Sequence, residues 1–205
     1  MTPHTFPELH GACALLVPLH PAHEDGLWDA AQDSRIWTYM PQQLNSPHAL
    51  HQWLLDALAA RDRGQEMPFA VVDTLHNRIV GSTRLADISF PNRGVEIGWT
   101  WLDPSVWRTP INTECKYLLL KHCFETLDMI RVCLKTDSRN VRSQHAIERL
   151  GARREGILRS HRILPDGYAR DSVYYSILAS EWPDVRQTLE HSLVAFPRAA
   201  AEHIP

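Results

Sequence analysis

The 205 residues are 44% apolar and 22% charged with a net charge of −3, the make-up of a globular chain rather than a disordered, fibrous or membrane one. At roughly 150 residues per domain the length gives between one and two, and no Gly/Ser-rich or Pro-rich linker divides the chain, so one domain over 1–205 with a core at about 15–185 is expected. The longest apolar stretch, 12–19, already contains Pro18 and is far short of the roughly 20 residues that cross a bilayer; Met1 to His10 also lacks the basic and apolar regions of a signal peptide.

In chain order, Ala12 to Leu19 reads as an edge strand, and Pro21 to Gln32 has helical spacing with Leu27, Ala30 and Ala31 on one side. The next helix is well marked: Ser46 as N-cap, Pro47 at the first position, apolar Leu50, Trp53, Leu54, Ala57 and Leu58, then Gly64 as a stop. Pro68 to Asp73 and Arg78 to Ala86 read as a hairpin in which Gly81 marks a bulge. After the turn at 91–94, Val95 to Leu102 alternates Val95, Ile97, Trp99, Trp101 against Glu96, Gly98, Thr100 and completes a three-strand meander. Asn112 to Leu127 is helical, Ile130 to Thr136 a strand, and Val141 to Leu150 a helix stopped by Gly151. Strands at about 154–163 and 169–178 flank the turn Pro165-Asp166-Gly167, Glu181 to Val194 is a helix, and the Ala/Pro tail beyond it is expected to fray. No repeat and no run of strand–helix units occurs, so an α+β fold is expected: a mixed, mostly antiparallel central sheet with helices on both faces.

The four cysteines form no CxxC pair and sit in apolar patterns, which reads as free thiols in a reducing compartment and hence a cytoplasmic location. His20/His23 and His48/His51 are three apart, but no Cys or carboxylate cluster joins them, so no metal site is expected. From Arg131 to Arg170 ten Lys/Arg face four Asp/Glu, a local excess of +6 that leaves −9 on the rest. An acidic chain with one basic segment suits a compact anion better than a nucleic-acid backbone, although a solvated basic face reads the same way.

The stretch from Trp101 to Glu114 leaves a strand and enters a helix, whose first amides and positive dipole end suit a phosphate. Arg108 adds a permanent fork-shaped donor. The plainer reading has Thr109 cap the helix with Pro110 at its first position.

Four stretches, Gly94-Val-Glu-Ile-Gly-Trp, Arg108-Thr-Pro-Ile-Asn-Thr-Glu into Lys116-Tyr-Leu-Leu-Leu, Asp137-Ser-Arg-Asn-Val-Arg-Ser143 with Ala146 to Gly151, and Asp171-Ser-Val-Tyr-Tyr-Ser, carry a resemblance. Together they resemble the GCN5-related N-acetyltransferase superfamily, within it the ribosomal-protein-alanine N-acetyltransferase-like branch, over about 15–185. The resemblance implies acetyl transfer from acetyl-CoA to a primary amine, a small amine or a peptide N-terminus, by direct attack. In the family a Gln/Arg-x-x-Gly-x-Gly/Ala loop holds the pyrophosphate of coenzyme A; here Trp107, Pro110 and Asn112 take the first, Gly and last places. Proline removes one amide, while those of Arg108, Thr109, Ile111, Asn112 and Thr113 stay available.

The resemblance further implies that the strand ending at Leu102 splays from the next, so that Trp101 and Leu102 offer backbone groups to pantetheine. Asn140 and Ser143 match an Asn-x-x-Ser motif, the Asn contacting the pantetheine arm and the Ser lying near the sulfur as proton donor; Asn140 is equally placed to cap its helix. Glu96 is the first choice of base, against an ordinary surface carboxylate, and His161 is the second, because Arg162 stands where the relatives carry a Glu. Trp28, Trp53 and Trp99 are expected in the core, whereas Trp37 and Tyr39 line either an acceptor groove or the core. Pro110 and Arg162 keep a second reading open, an acyl-CoA-binding or protein-interaction module without turnover. A homodimer is left open; membrane and nucleic acid are not expected partners.

Overall fold

The computed structural model describes residues 7–195; the tail from Phe196 lies outside the described residues. Eight strands form one sheet: β1 Leu9–His10, β2 Ala14–Pro18, β3 Met67–Asp73, β4 Arg78–Ser89, β5 Gly94–Leu102, β6 Arg131–Asp137, β7 Arg153–Ile163 and β8 Ala169–Leu178. Their spatial order is β1-β2-β3-β4-β5-β6-β8-β7, and every neighbouring pair is antiparallel except β5 with β6. The helices are α1 Glu24–Ala30, α2 Pro47–Asp62, α3 Ile111–Lys121, α4 Val141–Arg149 and α5 Trp182–Ala195. This is the α+β architecture read from the sequence. No described helix is long and apolar enough to cross a membrane, and no group of three or more His, Cys, Asp or Glu is placed to hold a metal among the described residues.

Each sheet face carries its own core because side chains alternate along a strand. One face, from Phe69, Val71, Leu85, Ile97, Val132 and Tyr175, packs against α3, α4 and α5 through Leu119, Ile147 and Val185. The other, over the first half of the sheet, packs Ala70 and Trp101 against Leu27 of α1 and Leu50, Trp53, Leu54 and Ala57 of α2. The signals marking α2 act as read: Ser46 Oγ accepts from the Ala49 amide at 3.1 Å, Pro47 stands at the first position, and Gly64 turns the chain at φ +70°.

Departures from the sequence reading have local causes. The apolar run at 12–19 is not the edge, because β1, too short to show a pattern, pairs outside β2. Three backbone amides at 12–14 converge on the buried Glu114 carboxylate at 2.7–2.8 Å, tying the first strands to α3. The helix expected to reach Leu127 stops at Lys121 and closes with a π turn over His122–Thr126, Leu127 N–H donating to the His122 carbonyl.

Two bulges shape the centre of the sheet. The first is the one Gly81 signals, between Val71 and Val72 of the facing strand. The second lies in β5, where Ser82 pairs with Trp101 but Arg84 with Gly98, so Trp99 and Thr100 together oppose Thr83, and Trp99 takes φ +54°. This extra residue reverses the alternation: Trp101 joins the α2 side, while Trp99, expected in the core, is half-buried outside both clusters. Trp28 and Trp53 do pack on the α2 side.

Candidate active site

β5 and β6 pair only at Gly94–Arg131, Val95–Val132 and Glu96–Cys133. From Ile97 onward the strands diverge, and a fork opens inside the sheet. On its β4 edge β5 stays bonded to Leu102; on the fork edge Trp101 and Leu102 face no partner strand among the described residues. The Leu102 carbonyl does accept the Trp107 indole N–H at 2.8 Å, so part of its bonding capacity is already used.

Beyond the fork, Asp103 caps a short turn at Pro104–Val106 through the Ser105 amide, and Arg108 adopts φ +64° before α3 begins. Pro110 holds the cap position, and the Thr109 hydroxyl, expected to cap the helix, mainly donates to the Val106 carbonyl at 2.7 Å. The Thr109 and Ile111 amides are engaged over 3.4 Å contacts, whereas those of Arg108, Asn112 and Thr113 find no protein acceptor among the described residues. The Trp107 ring is covered by the Arg142 guanidinium at 3.8 Å and approached by Arg35 at 5.5 Å. Arg35 is bound to Asp33, but Arg108 and Arg142 have no ion-pair partner among the described residues. Burial, with Arg108 and Arg35 nearby, holds the Arg142 guanidinium below its usual pKa. Free helix-start amides beside unpaired guanidinium groups fit a compact anion such as a diphosphate.

On the other side of the fork, Asn140 Oδ1 caps α4 by accepting the Ser143 amide at 3.0 Å. Ser143 is half-buried in the first turn, and its hydroxyl has no partner among the described residues. Arg139 grips Asp137 and lies over the Tyr168 ring at 3.7 Å.

The face of β5, β6, β8 and β7 turned away from α3, α4 and α5 carries Glu96, Lys135, Tyr174, Ser172, Arg170 and His161. Glu96, 5% exposed, takes the Lys135 ammonium at 2.6 Å, with Asp87 3.8 Å from the same nitrogen. Burial raises the Glu96 carboxyl above its ordinary pKa, against the pull of Lys135. Lys135 also lies 5.7 Å over Tyr174. His161 Nδ1 is 3.0 Å from Ser172 Oγ and its Nε2 is 3.4 Å from the Tyr174 hydroxyl. Burial, then Lys135, Arg162 and Arg170, hold the imidazole below its ordinary pKa.

The residues singled out from the sequence thus fall in three groups: Trp101, Leu102, Arg108, Thr109, Ile111, Asn112 and Thr113 along the fork and the start of α3; Glu96 and His161 on the polar face; and the pair Asn140 and Ser143. Asn140 and Ser143 stand at the start of α4. Trp37 is core, its indole donating to the Ala31 carbonyl and its ring 5.3 Å from Trp101, and Tyr39 is half-buried near Arg139. Lys135, Tyr174 and Arg170 were missed. The period of two around Val132 and Leu134, and around Val173 and Tyr175, puts them on the opposite face, but only the strand order brings them beside Glu96.

The acetyltransferase (GNAT) domain model matches residues 14–153, more than half of the chain. A GCN5-related N-acetyltransferase from Brucella melitensis is similar in structure, with a TM-score of 0.86 and 28% identity over 92% of this chain and 86% of that one. A fold likeness, with a TM-score of 0.77 and 20% identity over 87% and 88% of the two chains, extends to Mycobacterium smegmatis RimJ solved in complex with CoA-disulfide. Among curated proteins, "Putative ribosomal N-acetyltransferase YdaF" of Bacillus subtilis (strain 168) is 32% identical over 51% of this chain and 56% of its own length. The chain spans about half the length of the curated relatives it matches. With its forked mixed sheet and the matching model across the fork, the chain belongs to the GNAT acetyltransferase family.

Proposed function

We propose that the protein is an acetyl-CoA-dependent N-acetyltransferase whose acceptor is a primary amine, either small or the N-terminus of a peptide. The observation that carries this is the fork between β5 and β6, flanked by three free amides at the start of α3. Acetyl-CoA, when bound, supplies a thioester carbonyl: a nitrogen–carbon bond forms, the carbon–sulfur bond breaks, and the nitrogen gives up a proton while the sulfur gains one.

The amides of Arg108, Asn112 and Thr113 hold the diphosphate, helped by the guanidinium groups of Arg108 and Arg142. Thr109 and Ile111 shape that corner, and the fork edge of Trp101 and Leu102 faces the pantetheine arm together with the spare amide hydrogens of Asn140. Glu96 takes the proton from the amine, and its raised pKa brings it closer to the working pH of a general base. Ser143, with its hydroxyl free, is the donor to sulfur. His161, largely neutral because its pKa is lowered, is the second candidate base.

The Glu96–Lys135 ion pair and the missing Pro110 amide favour one rival, a binding module without turnover. Titration calorimetry with coenzyme A and thiol release from acetyl-CoA over an amine panel separate the two. Saturable binding with turnover is expected; binding without turnover on any amine supports the module, and absent binding overturns both.

A further inference from the structure

Arg162 and Arg170 are direct cross-strand partners on β7 and β8. Like charges facing each other across a sheet are destabilising unless something lies between them. Neither forms an ion pair or donates a side-chain hydrogen bond among the described residues. Arg170 is only 6% exposed, and its Nε is a buried donor without an acceptor. Asp137 and Glu96 attract this guanidinium from a distance without bonding to it, so its desolvation cost is only partly answered.

The location is specific. A bulge between Leu158 and Arg162 puts three residues opposite one, and this brings His161 and Arg162 together onto the polar face. Arg162 lies 5.5 Å over the ring of Trp99, the bulge residue beside the fork. Arg84, on the same ring at 5.3 Å, is already answered by Glu66 at 2.7 Å. Of the other charges on this face, Lys135 answers Glu96 and Asp87, and Arg139 answers Asp137. Adding Arg162 and Arg170 leaves one positive charge in excess, which a monoanion neutralises.

We propose that Arg162 and Arg170 are a carboxylate-binding pair on the polar face beside Trp99, so that the amine acetylated carries its own carboxylate, as an amino acid does. The inference rests on the acetyl-transfer reading above. Guanidinium forks match a carboxylate in a bidentate way, and the pair would hold the acceptor with its nitrogen toward Glu96 and the fork.

Thiol release is measured with each amino acid against its own primary amide, and with an aminoalkyl phosphate as a third arm. The expected result is a kcat/KM at least tenfold higher for the acids than the amides. In Arg162→Gln that ratio falls toward one through a raised KM for the acids, and Arg162→Lys restores part of it. Equal or better turnover of the amides overturns the proposal, and preference for the phosphate overturns the choice of carboxylate. Turnover on no amine overturns the acetyl-transfer reading instead. The pair is then judged by calorimetric titration of the coenzyme A-loaded protein with an N-acetylated amino acid and its amide. Binding of the acid alone, lost in Arg162→Gln, sustains the pair; no binding of the acid removes it.

Discussion

Glu96 stands between two opposing influences: burial, which favours its neutral form, and the Lys135 ammonium at 2.6 Å, which favours its charge. Burial prevails, so the carboxyl releases its proton at a higher pH than an exposed Glu, and the base-competent form grows as pH rises through that raised value. With Glu96 as the base, turnover should climb with pH on its acidic limb. Glu96→Gln should flatten that limb and cut kcat by about 100-fold, with coenzyme A affinity by calorimetry kept. Full activity in Glu96→Gln with loss in His161→Gln transfers the role to the imidazole. At this scale the placing of Glu96 was legible, because the alternation along β5 sets it opposite Val95 and Ile97. Lys135 was not: a Lys in an alternating strand looks like any solvent-facing Lys until β6 is laid beside β5.

Among the elements, α4 begins on a residue with a shown local task, the cap, and a proposed one in the site. Asn140 satisfies the Ser143 amide through Oδ1, which leaves its two amide hydrogens available to a ligand. Asn140→Ala should lower helix stability by about 1 kcal/mol, seen as a melting temperature lower by roughly 2–4 °C. It should also weaken coenzyme A binding in titration; unchanged affinity leaves Asn140 a cap alone. The Ser46 and Asn140 caps and the Gly81 bulge were readable because each depends on one residue's chemistry. The Trp99 bulge was not readable, since no glycine marks it and its φ of +54° is imposed by pairing with β4. The π turn at His122–Thr126 escaped for a similar reason, as its residues keep a helical pattern.

For the molecule as a whole, strand order decides what the elements can do together. The order of elements along the chain was legible and matched the α+β architecture; the insertion of β8 between β6 and β7, which assembles the polar face, was not. Across the sheet from that face, Lys116 of α3 is buried beneath the β5 bulge, bonded to the Thr83 and Thr100 hydroxyls. Desolvation lowers its pKa to about 8. The unfolded chain then holds this proton to higher pH than the fold does, so Lys116 weighs against folding below about pH 8, and that burden lifts as pH rises toward 10.5. Denaturant unfolding should show Lys116→Met gaining over the parent at pH 7, with the gain shrinking by about 1 kcal/mol by pH 9. A pH-independent difference would mean the lysine titrates normally.

The fork carries a further consequence. A strand at the middle of an eight-stranded sheet ordinarily guards its amides from solvent deuterium, but β5 beyond Glu96 is an edge hidden inside the sheet. Mass spectrometry of deuterium uptake should find 97–102 taking up label on the timescale of a sheet margin, and slowing sharply when a thioester ligand zips the opening closed. Under the proposed reading, the gap that interrupts the ladder lets the ligand act as a surrogate ninth strand.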